Sequence, residues 1–87
     1  MNYQIRFAKQ AVKDFELIKK SPYKTKALVI LDTLASAPYT PPYEELHDNL
    51  KGKFSRRLNK QHRIVYEIDE REKRIVILRM WTHYEKL

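Results

Sequence analysis

Apolar and polar positions alternate at the start of the chain. Within Asn2–Ala8, Tyr3, Ile5 and Phe7 are separated by Gln4 and Arg6, a period of two that predicts a short strand. The period then lengthens. Over Lys9–Lys20, Ala11, Val12, Phe15 and Ile18 recur at spacings of three and four, with lysines on the remaining faces, as in an amphipathic helix. Ser21-Pro22 stops that helix and predicts the next, with Ser21 as N-cap and Pro22 at the first helical position. The second helix extends to Ser36 on a stripe of Ala27, Ile30, Leu31 and Leu34. Pro38, Pro41 and Pro42 then impose an extended loop, because proline removes a donor and turns the preceding residue away from helix.

The second half carries strand patterns. In Lys53–Leu58, Phe54, Arg56 and Leu58 share one face and Lys53, Ser55 and Arg57 the other, with Arg56 interrupting the apolar side. Gly52, the only glycine, marks a turn that needs φ > 0. Gln61–Asp69 alternates more cleanly, Ile64, Tyr66 and Ile68 against Arg63, Val65, Glu67 and Asp69. Asp69–Lys73 reads as a charged hairpin loop, and Arg74–Trp81 as a strand covered on both faces. The order β-α-α-β-β-β predicts one α+β domain over residues 1–87, an antiparallel sheet with a two-helix hairpin packed on one face.

Composition narrows the class. Eighty-seven residues leave no room for a second domain. The absence of cysteine excludes disulfides, thiol catalysis and Cys-based zinc sites. The longest apolar run is Ala27–Leu31, far short of the ~18 residues a membrane span needs. MNYQIRFAKQ has no signal-peptide core, so a soluble cytoplasmic protein without membrane contact is expected.

Charge adds a partner. A net +7 and a pI of about 9.7 suit a polyanion or an acidic protein. Lys51, Lys53, Arg56, Arg57, Lys60 and Arg63 follow one another without an intervening acid. Period-two geometry turns Arg57 and Arg63 away from the apolar face, where guanidinium forks suit phosphate; a merely solvated basic face fits equally well. His47, His62 and His83 lack metal-ligand spacing, so no metal or other cofactor is expected. His83 follows the last strand in phase with Ile75, Ile77, Arg79 and Trp81, a phase that can bring it to the face of Arg57 and Arg63. Glu44-Glu45 supply carboxylates before the basic run, or are plain surface acids. One metal-free chemistry uses a carboxylate, arginines and a histidine together, namely cleavage of RNA by its own 2′-hydroxyl. The inventory fits that scheme, but spacing alone does not select it.

The motifs do. Glu44-Glu45-Leu46, Gly52-Lys53-Phe54-Ser55-Arg56-Arg57-Leu58, His62-Arg63-Ile64-Val65-Tyr66 and a closing His83-Tyr84 run collinearly through the second half. Together they resemble the YoeB/Txe branch of the RelE-type toxins, whose pattern is E-P-L, G-x-W-S-R-R-I, H-R-L-V-Y and H-Y. The resemblance implies the RelE-like fold and a toxin of a type II toxin–antitoxin pair, an endoribonuclease that cleaves mRNA in the A site of the 70S ribosome. It implies Glu44 as general base, with the motif register favouring it over Glu45, and His83 as general acid. Arg63 and Arg57 would hold the scissile phosphate and Tyr84 would position a base, with His47, Lys51 and Lys53 supplying further substrate contacts. It implies an acidic antitoxin of the YefM/Phd kind, operator DNA bound only through the antitoxin complex, and a possible homodimer. The chain departs from the pattern at His47 for lysine, Glu45 for proline, Phe54 for tryptophan, and in the added Glu85-Lys86-Leu87. Two other functions compete with this reading: a ParE-type gyrase inhibitor of the same fold, and a non-catalytic nucleic-acid-binding module.

Overall fold

The computed structural model describes residues 2–47 and 52–83. The elements are β1 (Gln4–Phe7), α1 (Lys9–Lys19), α2 (Lys24–Ser36), β2 (Glu44–Glu45), β3 (Lys53–Arg57), β4 (His62–Asp69) and β5 (Arg74–His83). The expected Lys51, Tyr84 and Glu85-Lys86-Leu87 features lie outside the described residues, and only the backbone of His83 is described.

The α+β class and the helical hairpin stand as read, but the sheet is mixed. Its order is β1-β5-β4-β3-β2. β2 to β5 pair antiparallel, while β1 lies parallel to β5, Ile5 opposite Ile75 and Phe7 opposite Ile77. The chain leaves β1 directly into α1, which packs chiefly against β5, so β1 docks on the same strand its helix covers. β2 is an addition: the proline loop ends in two residues that pair with β3.

The helical stripes differ from the sequence reading in detail. In α1 the buried positions are Ala11, Asp14 and Ile18, whereas Val12 is 49% exposed. α2 begins at Lys24, two residues later than Pro22 predicts. Ser21 Oγ donates to the Ile18 carbonyl and accepts from the Tyr23 N–H, so Ser21 closes the end of α1 and Pro22-Tyr23 form a turn. Ala27 and Leu34 bring α2 into one core with Ile64, Tyr66, Ile75 and Ile77. Burying side chains of this size contributes roughly 1.5–3 kcal/mol each.

Arg56, the interruption in the apolar face of β3, is 6% exposed. Its guanidinium donates to the carbonyls of Pro38 (2.8 Å), Thr40 (2.7 Å) and Pro42 (3.1 Å) and to the Tyr66 hydroxyl (3.2 Å). A loop with prolines at 38, 41 and 42 has few N–H donors for its own carbonyls, and one arginine supplies them. The guanidinium carbon lies 5.7 Å over the Tyr43 ring, which meets Phe54 edge-on. The loop is thereby fixed up to the residue before Glu44.

A second tie is at the opposite edge. Tyr3 and Tyr39 donate their hydroxyls to Glu70, and Lys73 Nζ lies 2.9 Å from it. The Tyr39 hydroxyl, with Lys73 and Tyr3, holds the Glu70 carboxyl down at about 2. The same hydrogen bond pushes the Tyr39 hydroxyl well above its ordinary range.

Candidate active site

Three strands deliver the expected residues by register. Glu44 of β2 stands opposite Ser55 of β3, Ser55 opposite Val65 of β4, and Arg57 opposite Arg63. Gly52, with φ of +88°, turns the chain into β3 as expected. Arg63 is 8% exposed. Its Nη1 lies 2.5 Å from Glu44 Oε1 and 3.1 Å from Ser55 Oγ, so a half-exposed carboxylate and a buried hydroxyl fix one edge of the guanidinium. Arg57 is exposed at the end of β3. Together Glu44, Arg57 and Arg63 line an open hollow of about 290 Å³, rimmed by Asn59, Lys60 and Gln61 of the β3–β4 turn.

Lys53 and His47, the other expected residues with described side chains, are placed elsewhere. Lys53 pairs with Glu67 at 3.6 Å and does not line the hollow. His47 is exposed just beyond β2 and does not line it either. The backbone of His83 stands opposite His62, and it is Thr82 that stands opposite Arg63. Strand alternation therefore does not itself bring position 83 beside Arg63. Among the described residues, no three His, Asp or Glu side chains converge as metal ligands.

Two buried polar side chains have roles that the sequence does not announce. Ser55 stands in the Gly52–Leu58 motif and on the Lys53/Arg57 face with no role of its own there, and its burial beneath Arg63 depends on the β3–β4 pairing. Asp14 is the other. It sits on the α1 stripe between Ala11 and Ile18, 2% exposed. Asp14 Oδ2 accepts from Arg79 Nε (2.8 Å) and from the backbone N–H groups of Met80 (2.9 Å) and Trp81 (3.3 Å). Burial raises its pKa, but the Arg79 guanidinium, the Met80 N–H and Gln10 outweigh burial and hold the carboxyl below its ordinary value.

These contacts fall where the β4–β5 ladder is irregular. The partners of Tyr66 and Val65 are Ile77 and Arg79, and those of Val65 and Arg63 are Arg79 and Thr82, so β5 gains a residue at each step. Bulges free N–H groups from the ladder, and Asp14 takes up two of them. An acid on an apolar helical stripe was the available signal, but its partners lie more than sixty residues away.

Comparison with known proteins places the fold. The solved YoeB/ParE toxin from Agrobacterium tumefaciens shares the fold, with a TM-score of 0.84 at 20% identity over 93% of this chain and 99% of that one. The YoeB dimer from Staphylococcus aureus aligns with a TM-score of 0.81 at 28% identity, covering 97% of this chain and 100% of that one. The heterotetrameric YoeB–YefM toxin–antitoxin complex from Staphylococcus aureus aligns at 0.78 and 28% with the same coverage. Among curated proteins none matches. The family model of the YoeB-like toxin of bacterial type II toxin–antitoxin systems matches residues 7–84. With nearly the whole chain inside that match, and with its strand–helix–helix–sheet plan, this chain belongs to the YoeB-like toxins.

Proposed function

We propose that this toxin is a ribosome-dependent endoribonuclease that cuts mRNA in the A site through attack by the RNA's own 2′-hydroxyl, without a metal. The observation that carries the proposal is the Glu44–Arg63 pair held on Ser55 at the edge of a hollow that Arg57 also lines. A carboxylate beside two guanidinium groups suits a substrate that must lose a proton and gain negative charge at phosphorus.

In this mechanism Glu44 accepts the 2′-OH proton as the 2′-oxygen attacks phosphorus. Arg63 and Arg57 stabilise the charge on the pentacoordinate phosphorane. His83 protonates the departing 5′-oxygen, leaving a 2′,3′-cyclic phosphate and a 5′-hydroxyl, and Tyr84 stacks on a neighbouring base. The Glu44–Arg63 ion pair also sets a resting state: an entering phosphate competes with the carboxylate for Arg63 and releases Glu44 to act as base. His47, Lys51 and Lys53 add positive charge along the path of the RNA.

The expected partner is an antitoxin of the YefM kind, by analogy with the Staphylococcus aureus complex; its acidic character, and operator DNA engaged only through the antitoxin complex, are what the motif resemblance implies. A homodimer is proposed by the same analogy.

Induced expression should arrest growth by halting translation, with transcripts cut at ribosome-bound codons in primer extension. Glu44→Ala and His83→Ala should each lower cleavage by at least a hundredfold, the usual size of a general acid or base contribution. Unchanged cleavage in both variants, with intact circular dichroism, would sink the catalytic assignment. Loss of replication with translation intact would point to the gyrase-inhibiting alternative.

A further inference from the structure

A second groove continues from the candidate active site. Arg57 and Lys60 line both, so a strand leaving the hollow at Glu44 and Arg63 passes directly into it. The groove holds about 610 Å³ between the start of α2 and the β3–β4 turn. Among the described residues, Lys26, Arg57 and Lys60 bring cations to it and no carboxylate lines it. Among the described residues none of these three cations is in an ion pair.

Its aromatic wall is Trp81. The indole lies parallel to the His62 ring, centroids 3.9 Å apart and planes 13° from each other, and the Tyr23 ring is 6.4 Å away and tilted by 50°. His62 is buried and its Nδ1 lies 3.3 Å from Asn59 Oδ1, so Trp81 rests on a ring that is itself held. Trp81 and Tyr23 remain partly exposed to the groove. Cations spaced along a channel with a pre-ordered aromatic surface are what single-stranded RNA requires: phosphates meet the cations and a base stacks on the ring. An acidic peptide would use the cations but has no need of the stack.

We infer that this groove is a subsite for a ribonucleotide flanking the scissile phosphate, with Lys26 and Lys60 on its phosphate and its base against Trp81 and Tyr23. The inference rests on the ribonuclease reading for its placement, and it assigns RNA contact to a side of the toxin outside the Glu44–Arg63 hollow.

Trp81 is the sole tryptophan of the chain, so its emission reports on the groove alone. The full chain is titrated at low salt with a 2′-O-methyl hexanucleotide of mixed sequence, which binds without being cut, and anisotropy of a dye on the RNA gives total binding. Saturable quenching of Trp81 in step with the anisotropy is expected. Lys26→Glu with Lys60→Glu should weaken binding at least tenfold and flatten its salt dependence. Should that double variant lose its circular dichroism signal, Lys60→Gln alone should still weaken binding severalfold. Binding by anisotropy without quenching overturns the subsite and leaves the hollow untouched. Quenching by polyglutamate as strong as by the RNA overturns the assignment to RNA. The ribonuclease reading fails separately, through the Glu44 and His83 variants.

Discussion

Arg56 shows how one side chain supports the site without touching substrate. Its charge sits on the apolar face of β3 because three loop carbonyls and the Tyr66 hydroxyl need donors there. Arg56→Ala would leave those acceptors unmatched, at a cost of about 3 kcal/mol. Arg56→Lys keeps the charge but replaces a planar fork with one ammonium, which cannot span the same acceptors, and should cost about 2 kcal/mol. Urea denaturation midpoints check both values. Because the loop ends at Glu44, cleavage should fall in both variants even at temperatures where they remain folded. At this scale the sequence was legible in identity and opaque in purpose. Alternation flagged Arg56 as out of place, and the motifs singled out Glu44, Arg57 and Arg63. Only the fold shows that Arg56 faces the proline loop while Arg63 reaches Glu44.

Among the elements, β5 depends most on another part of the chain. Its two added residues decide that Thr82 meets Arg63 and His83 meets His62, and a one-residue slip would exchange the faces of the strand. Asp14 holds the bulged segment by its N–H groups. Asp14→Ala should destabilise the protein by about 3 kcal/mol, because it strands buried donors and unpairs Arg79. Asp14→Asn keeps an oxygen acceptor and should cost less. The pH dependence follows from the carboxyl's lowered value. A group depressed by folding stabilises the native state above its unfolded value of about 3.9, and that contribution is lost as pH falls through the folded value. The gap in unfolding free energy between wild type and Asp14→Asn should therefore be constant near neutrality and close progressively below about pH 4. A gap that persists undiminished at pH 2 would mean that Asp14 acts by shape alone. Local periodicity gave the helices and most of β3, β4 and β5. It could not give the bulges, whose cause lies on α1, nor β2, whose two residues carry no period.

The parallel pairing of β1 with β5 is legible in no local pattern, since it joins the first strand of the chain to the last. β1 is four residues long and mostly exposed, and among the described residues it pairs in the sheet with β5 alone. Glu70 adds a second attachment, gathering Tyr3 from before β1, Tyr39 from the proline loop and Lys73 from the β4–β5 turn. Such exposed pairs contribute little to global stability, so Glu70→Gln should leave the denaturation midpoint nearly unchanged at neutral pH. Its effect should be local. The ends of β1 and the loop lose a shared anchor, and amide hydrogens of Gln4–Phe7 should exchange faster than in the wild type while those of β4 keep their protection. The carboxyl is held at about 2, so its contribution persists above the ordinary glutamate value and fades only as pH falls toward 2. Wild type and Glu70→Gln should thus differ in β1 exchange at pH 5 and converge as pH approaches 2. Equal β1 exchange at pH 5 would show that the ladder to β5 alone secures this edge.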